Sequence, residues 1–235
     1  MIAANLHAVR ERIARAASRG GRSERDVTLV AVSKTHPAER VREAFLAGQL
    51  AFGENKIQEG ETKIEALASL RAAGLRWHLV GHLQSNKARK AAALFDLVHS
   101  VDGLDLARKL AASAADAGKV LDVLVQADLA GEPTKHGAGE DVLLPILEAL
   151  RGISSLRVLG LMILPPLEDD PEKTRPYFRR LRELRDRAAG DGLLAGTELS
   201  MGMSHDFEVA VEEGATLVRV GTAIFGERKP PAAAP

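Results

Sequence analysis

The chain contains no cysteine, which excludes disulfide bonds and thiolate metal sites and suits the reducing cytoplasm. It has no excess charge of either sign, because 32 lysines and arginines balance 32 aspartates and glutamates. No net field therefore draws the protein to nucleic acid or to an anionic membrane. No apolar run approaches the roughly 18 residues that a membrane span requires. These absences predict a cytoplasmic protein without nucleic acid or membrane partners.

Strand-like apolar runs and helix-like stretches alternate along the chain without a break in composition. The eight strand candidates are residues 27–33, 50–53, 76–81, 97–101, 120–127, 156–164, 198–201 and 216–221. The helix-like stretches between them include residues 37–48, 103–118, 140–152 and 171–190. This alternation indicates a parallel sheet, and eight units in a chain of this length match an α/β fold, the single (β/α)8 barrel of the TIM type. An open doubly wound sheet is the alternative, because periodicity alone does not show closure.

The two ends of the chain lie outside this repeat. An extra N-terminal helix is predicted from four apolar residues that recur at a spacing of three to four, Ile2, Leu6, Val9 and Ile13. Residues 229–235 are rich in proline and have no large side chains, which predicts a disordered tail. We therefore expect one barrel domain over residues 1–228.

A lysine stands where the first strand candidate ends. Residues 28–33 carry no charge, and Lys34 follows them at the face where the active sites of such barrels form. Lys34 either extends to water or pairs with a carboxylate such as Glu54. Alternatively, burial lowers its pKa and leaves an amine that attacks an aldehyde or ketone.

The loops after the last two strands favour phosphate. The segment SMGMSHD offers a glycine, two serines and a predicted helix start at Ser204, and Gly221 and Thr222 directly follow the last strand. Loops at these two positions commonly hold phosphate in this fold through backbone N–H groups and hydroxyls. Helix capping by Ser204 and a tight turn at Gly221 are the structural alternatives. Because two such loops occur at the expected strands, phosphate is the preferred interpretation.

Arg219 adds a third group to these two. Alternation along the last strand puts Leu217, Arg219 and Gly221 on one face, directed towards the barrel mouth. An ion pair with a neighbouring carboxylate is the structural alternative. Pyridoxal 5'-phosphate (PLP) requires a lysine for its Schiff base, a phosphate cup, and an Asp or Arg at its pyridine nitrogen. Lys34, the two loops and Arg219 together match this requirement.

Six segments between about Val30 and Gly226 carry a family resemblance: AVSKTHP, FGENKIQE, WHLVGHLQSNK, VHSVD, LSMGMSHDFEVAV and VRVGTAIFG. In this order they resemble the signature segments of the pyridoxal phosphate homeostasis proteins, single-domain relatives of the alanine racemase N-terminal barrel. The resemblance implies PLP as the cofactor and an intracellular role in holding, buffering or delivering it. For the site it implies a Schiff base at Lys34, Arg219 at the pyridine nitrogen, phosphate contacts from Ser204, Gly221 and Thr222, and a cofactor lining that includes Asn55 and Met201.

Three functions remain open at this point. The preferred one is a PLP-binding homeostasis protein that is not an enzyme, acts as a monomer or weak homodimer, and has PLP-dependent apoenzymes as partners. A PLP-dependent amino-acid racemase is the alternative, but it needs acid–base groups on both faces of the substrate. The one tyrosine, Tyr177, falls in the helix before the seventh strand candidate. A Schiff-base aldolase without cofactor is third, and it gives Arg219 no pyridine nitrogen to contact. No residue is therefore assigned a catalytic role.

Three other patterns are set aside. His78 and His82 are spaced as in a helical zinc motif, but they lie on a predicted strand and lack its glutamate. We therefore predict no metal site. Ser204, His205 and Asp206 have the residue types of a hydrolase triad, but adjacent residues cannot form its relay. The glycine-containing loop around His136 is interpreted as a connection after the fifth strand candidate.

Overall fold

Eight parallel strands pair in a closed ring in the computed structural model, which describes residues 1–131 and 136–227. The described strands are β1 (Thr28–Val32), β2 (Ala51–Glu54), β3 (Arg76–Leu79), β4 (Leu97–Val101), β5 (Leu121–Asp128), β6 (Ala138–Gly139), β7 (Leu156–Ile163), β8 (Glu198–Met203) and β9 (Leu217–Val220). Strands β1–β5 and β7–β9 form the barrel, which closes where β1 pairs with β9 and β4 pairs with β5. The predicted (β/α)8 barrel is thus confirmed, and the open-sheet alternative is wrong.

Strand β6 is an addition that the sequence pattern did not predict. Its two residues pair with β5, Ala138 opposite Ala127. The other edge of β5 is occupied there by β7, because Ala127 also pairs with Ile163. Strand β6 therefore extends the β4 side of β5 beyond the last β4 pair, Val101 with Val125. Two residues are too few to produce a periodic signal.

Helices alternate with the barrel strands. They are α1 (Ile2–Arg19), α2 (Ala38–Leu46), α3 (Ile57–Ala66), α4 (Ala88–Leu94), α5 (Leu104–Asp116), α6 (Glu140–Leu150), α7 (Arg175–Gly190), α8 (Phe207–Glu212) and α9 (Thr222–Phe225). The predicted stretches 37–48, 103–118, 140–152 and 171–190 contain α2, α5, α6 and α7. None of the helices in the described part of the chain is both long and apolar enough to cross a membrane.

The N-terminal helix α1 is confirmed, and it packs against the two short helices that follow β8 and β9. All four of its predicted apolar residues are buried. Its Asn5 side chain donates a 2.9 Å hydrogen bond to the Ile224 carbonyl in α9. The guanidinium of Arg12 lies 4.5 Å from the ring centroid of Phe207 in α8 and forms an ion pair with Glu208. Helix α1 thus stabilises the segment that carries the predicted phosphate loops.

Alternation along the strands separates two apolar layers. The side chains that fill the barrel interior include Val30, Val32, Ala51, Val80, Leu97, Leu124, Met162 and Leu217. A larger layer lies between the barrel and its helices and contains the fully buried Trp77, Phe52, Phe95 and Phe178. Because the interior is filled by side chains, a ligand has access only at the barrel ends. The predicted tail at 229–235, like residue 228 of the predicted domain, lies outside the described residues.

Candidate functional site

A cavity of about 460 Å³ opens at the C-terminal ends of the barrel strands. Its volume falls within the range of sites that hold small molecules. Its walls come from the ends of β1, β3, β8 and β9 and from the loops after β2 and β7. It brings together six of the seven predicted cofactor residues: Lys34, Asn55, Ser204, Arg219, Gly221 and Thr222. The functional groups therefore collect where the strands end, as the sequence predicts.

Lys34 is half-buried at this cavity, two residues beyond the end of β1. The next residue, Thr35, has a φ of 67°, the one positive φ of a non-glycine residue among those described. A β-branched residue rarely adopts this conformation, which costs conformational energy and tends to occur at functional sites. The Thr35 backbone N–H donates to Glu59 Oε1 on α3 at 2.5 Å, and this bond holds the turn.

A buried ionic cluster fixes the backbone on the other side of Lys34. The Lys63 ammonium donates 2.7 Å hydrogen bonds to the Ser33 carbonyl, to Glu54 Oε1 and to Glu59 Oε1. The Ser33 hydroxyl also donates to Glu54 Oε1, at 2.6 Å. Glu54, which the sequence offered as a partner for Lys34, is thus bound by Lys63. Glu59 and Lys63 are one helical turn apart on α3, a spacing typical of ion pairs. Their contact with residues 33–35, the lysine loop, had no signal in the sequence.

Burial raises the pKa of the Glu54 carboxyl, and the neighbouring Lys63 ammonium opposes that rise. Glu54 is fully buried and Lys63 is 4% exposed. One carboxylate oxygen, Glu54 Oε2, is buried and has no hydrogen-bond partner among residues 1–131 and 136–227. The charge of Lys63 is therefore the main stabilising influence on an ionised Glu54.

Arg219 projects into the barrel from β9, as the alternation predicts. Leu217 lies in the interior layer, whereas Val218 and Val220 lie in the outer layer. Arg219 is 4% exposed, and it donates from Nη1 to Ser200 Oγ at 2.5 Å and from Nη2 to the Ile163 carbonyl at 2.8 Å. Burial lowers the pKa of Arg219 to about 10, so the guanidinium remains charged at neutral pH.

The ion-pair alternative for Arg219 is not what the structure shows. Among the described residues, no carboxylate oxygen lies within 4.0 Å of its guanidinium. Two neutral oxygens hold the group instead. Because arginine offers five N–H donors and accepts none, the remaining donors are available to an acceptor in the cavity that Arg219 lines.

Ser204 lies in a turn rather than at a helix start. Helix α8 begins at Phe207, and the residue preceding it is Asp206. The predicted helix start at Ser204 and its capping alternative are therefore wrong. The Ser204 hydroxyl instead accepts a 3.3 Å hydrogen bond from the backbone N–H of Gly221, which joins the loops after β8 and β9. A hydroxyl and a backbone N–H group in one corner suit an anion.

Two glycines allow the chain to fold closely around the cavity. At Gly202, φ is 90°, and an added Cβ would lie 2.6 Å from the Cβ of Ala210. At Gly81, an added Cβ would lie 2.3 Å from the carbonyl oxygen of Asn55. Larger residues at either position would displace helix α8 or the loop that carries Asn55.

Met201 is the predicted cofactor residue that lies elsewhere. It is fully buried in the outer apolar layer, and Met203 lines the cavity in its place. The reason lies in the pairing of β8 with β9, where Ser200 is opposite Leu217 but Met203 is opposite Arg219. Between these two pairs β8 moves forward by three residues and β9 by two, so β8 contains a β-bulge. A bulge changes the face of the sheet to which the following side chains point. Strict alternation from the sequence cannot show this shift.

A cluster that the sequence reasoning missed lies beside the cavity. Asp102 Oδ2 is 3.3 Å from His82 Nδ1 and 4.0 Å from His136 Nδ1, and these atoms are close enough to share a metal ion. The two imidazole rings, however, are stacked 3.5 Å apart with 9° between their planes. Imidazole lone pairs lie in the ring plane, so parallel rings cannot both direct them at one ion. In this arrangement the cluster is a stacked pair beside a carboxylate.

The other patterns set aside in the sequence are dispersed in the structure. His78 is buried in the barrel interior, whereas His82 is exposed at the mouth. His205 approaches the Asp169 carbonyl, at 3.1 Å, and Asp206 accepts from the Met203 backbone N–H. Neither contact connects to the Ser204 hydroxyl, so the described geometry contains no hydrolase relay at this loop.

Comparisons with known proteins agree with this geometry. The family model of the alanine racemase N-terminal domain matches residues 4–229. A pyridoxal phosphate homeostasis protein of Aquifex aeolicus is 46% identical over 224 residues, which cover 95% of this chain and 97% of that protein. The protein of the same name from Escherichia coli K12 is 41% identical over 235 residues and covers 97% of each chain.

A solved structure matches this chain in both fold and sequence. PipY of Synechococcus elongatus, with PLP bound, superposes with a TM-score of 0.85 at 39% identity and covers 96% of this chain and 100% of its own. Agreement in sequence and fold over more than nine tenths of both chains shows common descent rather than a shared barrel alone. The chain belongs to the family of pyridoxal phosphate homeostasis proteins, and its barrel is that of the alanine racemase N-terminal domain.

Proposed function

We propose that the chain binds PLP at the mouth of its barrel and serves intracellular PLP homeostasis by holding, buffering or delivering the cofactor. One observation carries the proposal: a single cavity of about 460 Å³ collects an amine, an arginine that is charged at neutral pH, and a corner with hydroxyl groups that suits an anion. Relatives with this name and the PLP-bound PipY structure support it. PLP supplies an aldehyde that reacts with an amine, a pyridine ring and a phosphate.

The residues present fit this group. Lys34 offers the amine for attachment, on a backbone that Glu59 and Lys63 hold from both sides. Ser204 and Thr222 offer hydroxyls for the phosphate, and the Gly221 backbone N–H, which donates to Ser204 Oγ at 3.3 Å, lies beside them. Arg219 offers N–H donors to the pyridine nitrogen, and arginine cannot give up its proton there. Asn55 and Met203 complete the wall.

Binding of PLP without catalytic turnover of amino acids is the favoured role. An amino-acid racemase needs a second acid–base group opposite the lysine, and Tyr177 is on α7 rather than at the cavity. Two histidines, His82 and His205, reach the rim, and both are exposed to water. An exposed rim does not provide the water-excluded environment that protects a carbanion. PLP-dependent apoenzymes as recipients, a monomeric or weakly dimeric state, a cytoplasmic location and a domain over residues 1–228 are further parts of the proposal.

The test is reduction of the PLP-loaded protein with borohydride, followed by peptide mapping. We expect a visible absorbance before reduction and a single labelled peptide that contains Lys34. Lys56→Ala is the matched control, because Lys56 is an exposed lysine in the loop after β2. A label that remains in Lys34→Ala but disappears in Lys56→Ala would overturn the assignment of Lys34.

A further inference from the structure

A chain of buried hydrogen bonds runs through the barrel behind Arg219. Ser200 Oγ, which accepts from Arg219, lies 2.8 Å from His99 Nδ1, and His99 Nε2 lies 2.9 Å from His78 Nδ1. The four residues come from β9, β8, β4 and β3. Ser200 and His99 are fully buried, and Arg219 and His78 are 4% and 8% exposed. These groups have no part in the binding roles proposed above except through Arg219.

The donor and acceptor of each hydrogen bond in this series follow from counting the available donors. Arginine only donates, so Ser200 Oγ accepts from Arg219 and its own hydroxyl proton remains for His99 Nδ1. His99 then carries its proton on Nε2 and donates to His78 Nδ1. In the opposite direction, the Ser200 hydroxyl would have no acceptor among the described residues, and a buried hydroxyl without a partner is costly.

Both imidazoles must be neutral for this pattern, since His99 accepts on Nδ1 and donates from Nε2, and His78 accepts on Nδ1. Burial lowers the pKa of His78 to about 4 and holds the pKa of His99 well below its ordinary value. Each bond therefore points away from Arg219. The series of hydrogen bonds ends at His78, which borders a cavity at the N-terminal ends of β3, β4 and β5.

We infer that His99, which accepts from Ser200 on Nδ1 and donates to His78 from Nε2, is a positioning residue for Arg219. His99 orients the Ser200 hydroxyl, which leaves one Ser200 lone pair aimed at Arg219 Nη1. With the Ile163 carbonyl on Nη2, the guanidinium has two fixed points, and its other N–H groups are directed to the cavity. The inference rests on the proposed function, because it assigns these N–H groups to the pyridine nitrogen of PLP.

A purely structural role is the competing explanation, because any buried polar group must be satisfied. Two substitutions at His99 separate the explanations. A glutamine amide has both an acceptor and a donor, so His99→Gln can accept from Ser200 and donate to His78. His99→Phe fills the space of the ring and offers neither.

The experiment measures PLP affinity, the visible absorption spectrum of the loaded protein, and urea unfolding of each variant without PLP. For His99→Phe we expect PLP to bind about tenfold more weakly, the effect of one well-placed hydrogen bond, with a shifted absorption maximum. His99→Gln should restore the wild-type spectrum and bind within about threefold of wild type. Ser200→Ala, a smaller change, should reproduce the loss if His99→Phe does not fold.

Wild-type affinity and spectrum in a folded His99→Phe or in Ser200→Ala would overturn the inference. So would a His99→Gln variant that binds as weakly as His99→Phe while unfolding like wild type. Borohydride labelling of the wild-type protein separates this failure from that of the proposed function. If wild type is labelled at Lys34 and the variants behave like it, the inference fails alone. If wild type takes no label, the proposed function fails and the inference with it.

Discussion

Replacing Lys63 by methionine tests whether the buried ionic cluster stabilises the lysine loop. Lys63 is 4% exposed, and the substitution removes three 2.7 Å hydrogen bonds, to Ser33, Glu54 and Glu59. Glu59 is partly exposed and can be rehydrated, whereas Glu54 is fully buried. Glu54 then retains one described partner, the Ser33 hydroxyl. Removing one member of a buried ion pair typically costs about 3–5 kcal/mol, and we expect a loss of unfolding free energy of this size.

The pH dependence of that loss has a definite sign. Burial already raises the pKa of Glu54 against the opposing effect of Lys63, so Lys63→Met should raise it further. A carboxyl with a higher pKa in the folded state takes up a proton on folding. Its contribution to stability is full at low pH and is lost as the pH rises through the folded-state pKa. The deficit of Lys63→Met should therefore be large at about pH 8 and smaller at about pH 5.

Urea unfolding at the two pH values measures both effects. Adding Glu54→Gln to Lys63→Met should recover part of the loss, since a neutral amide needs no counter-ion. Lys90→Met is the matched control: it removes the Lys90–Glu61 ion pair, in which the side chains are 58% and 30% exposed, and such pairs contribute about 1 kcal/mol or less. Equal losses in Lys63→Met and Lys90→Met, or a Lys63→Met deficit that does not change with pH, would refute this account of the cluster.

Three further predictions concern the cavity. Lys34→Ala should lose the visible absorbance of the PLP-loaded protein. Without PLP it should keep the unfolding midpoint of wild type, which circular dichroism can check. A retained absorbance would mean that another lysine carries the cofactor. Ser204→Ala should weaken PLP binding about tenfold through one charge-assisted hydrogen bond, and an unchanged dissociation constant in a PLP titration would remove Ser204 from the phosphate site. Interconversion of D- and L-alanine by the loaded protein should stay far below about 10 s⁻¹, the enzyme median; turnover near that value would establish the racemase alternative and implicate His82 or His136.

The sequence predicted most features that follow from periodicity. The strands and the inward direction of Arg219 depend on alternation, which many residues determine together. Closure into a barrel was preferred from the count of eight units, and the open sheet remained the alternative until the pairing of β1 with β9 and of β4 with β5 was seen. The N-terminal helix was predictable for the same reason, because four apolar residues at helical spacing define a buried face. The lysine at the mouth followed from its position after an apolar strand.

The features that the sequence did not predict depend on a one-residue shift in strand pairing or on single contacts between residues far apart in the sequence. Met203 replaces Met201 at the cavity because β8 gains one residue against β9. Ser204 was assigned to a helix start because the sequence gives a capping residue, while the observed partner, Gly221, lies 17 residues further along. The contact of Lys63 with the carbonyl of Ser33 spans 30 residues, and such contacts have no local pattern.

The two proposed anchors of the cofactor are each held by groups that the cofactor does not touch. Glu59 and Lys63 fix the backbone beside Lys34, and Ser200 and the Ile163 carbonyl fix Arg219. Groups held in place before binding lose little conformational freedom when a ligand arrives, which favours affinity. The cavity between them is bordered by His82 and His205, which are both exposed at its rim. Rigid anchors with an open rim therefore support the proposal that the site retains and exchanges PLP rather than excluding water for catalysis.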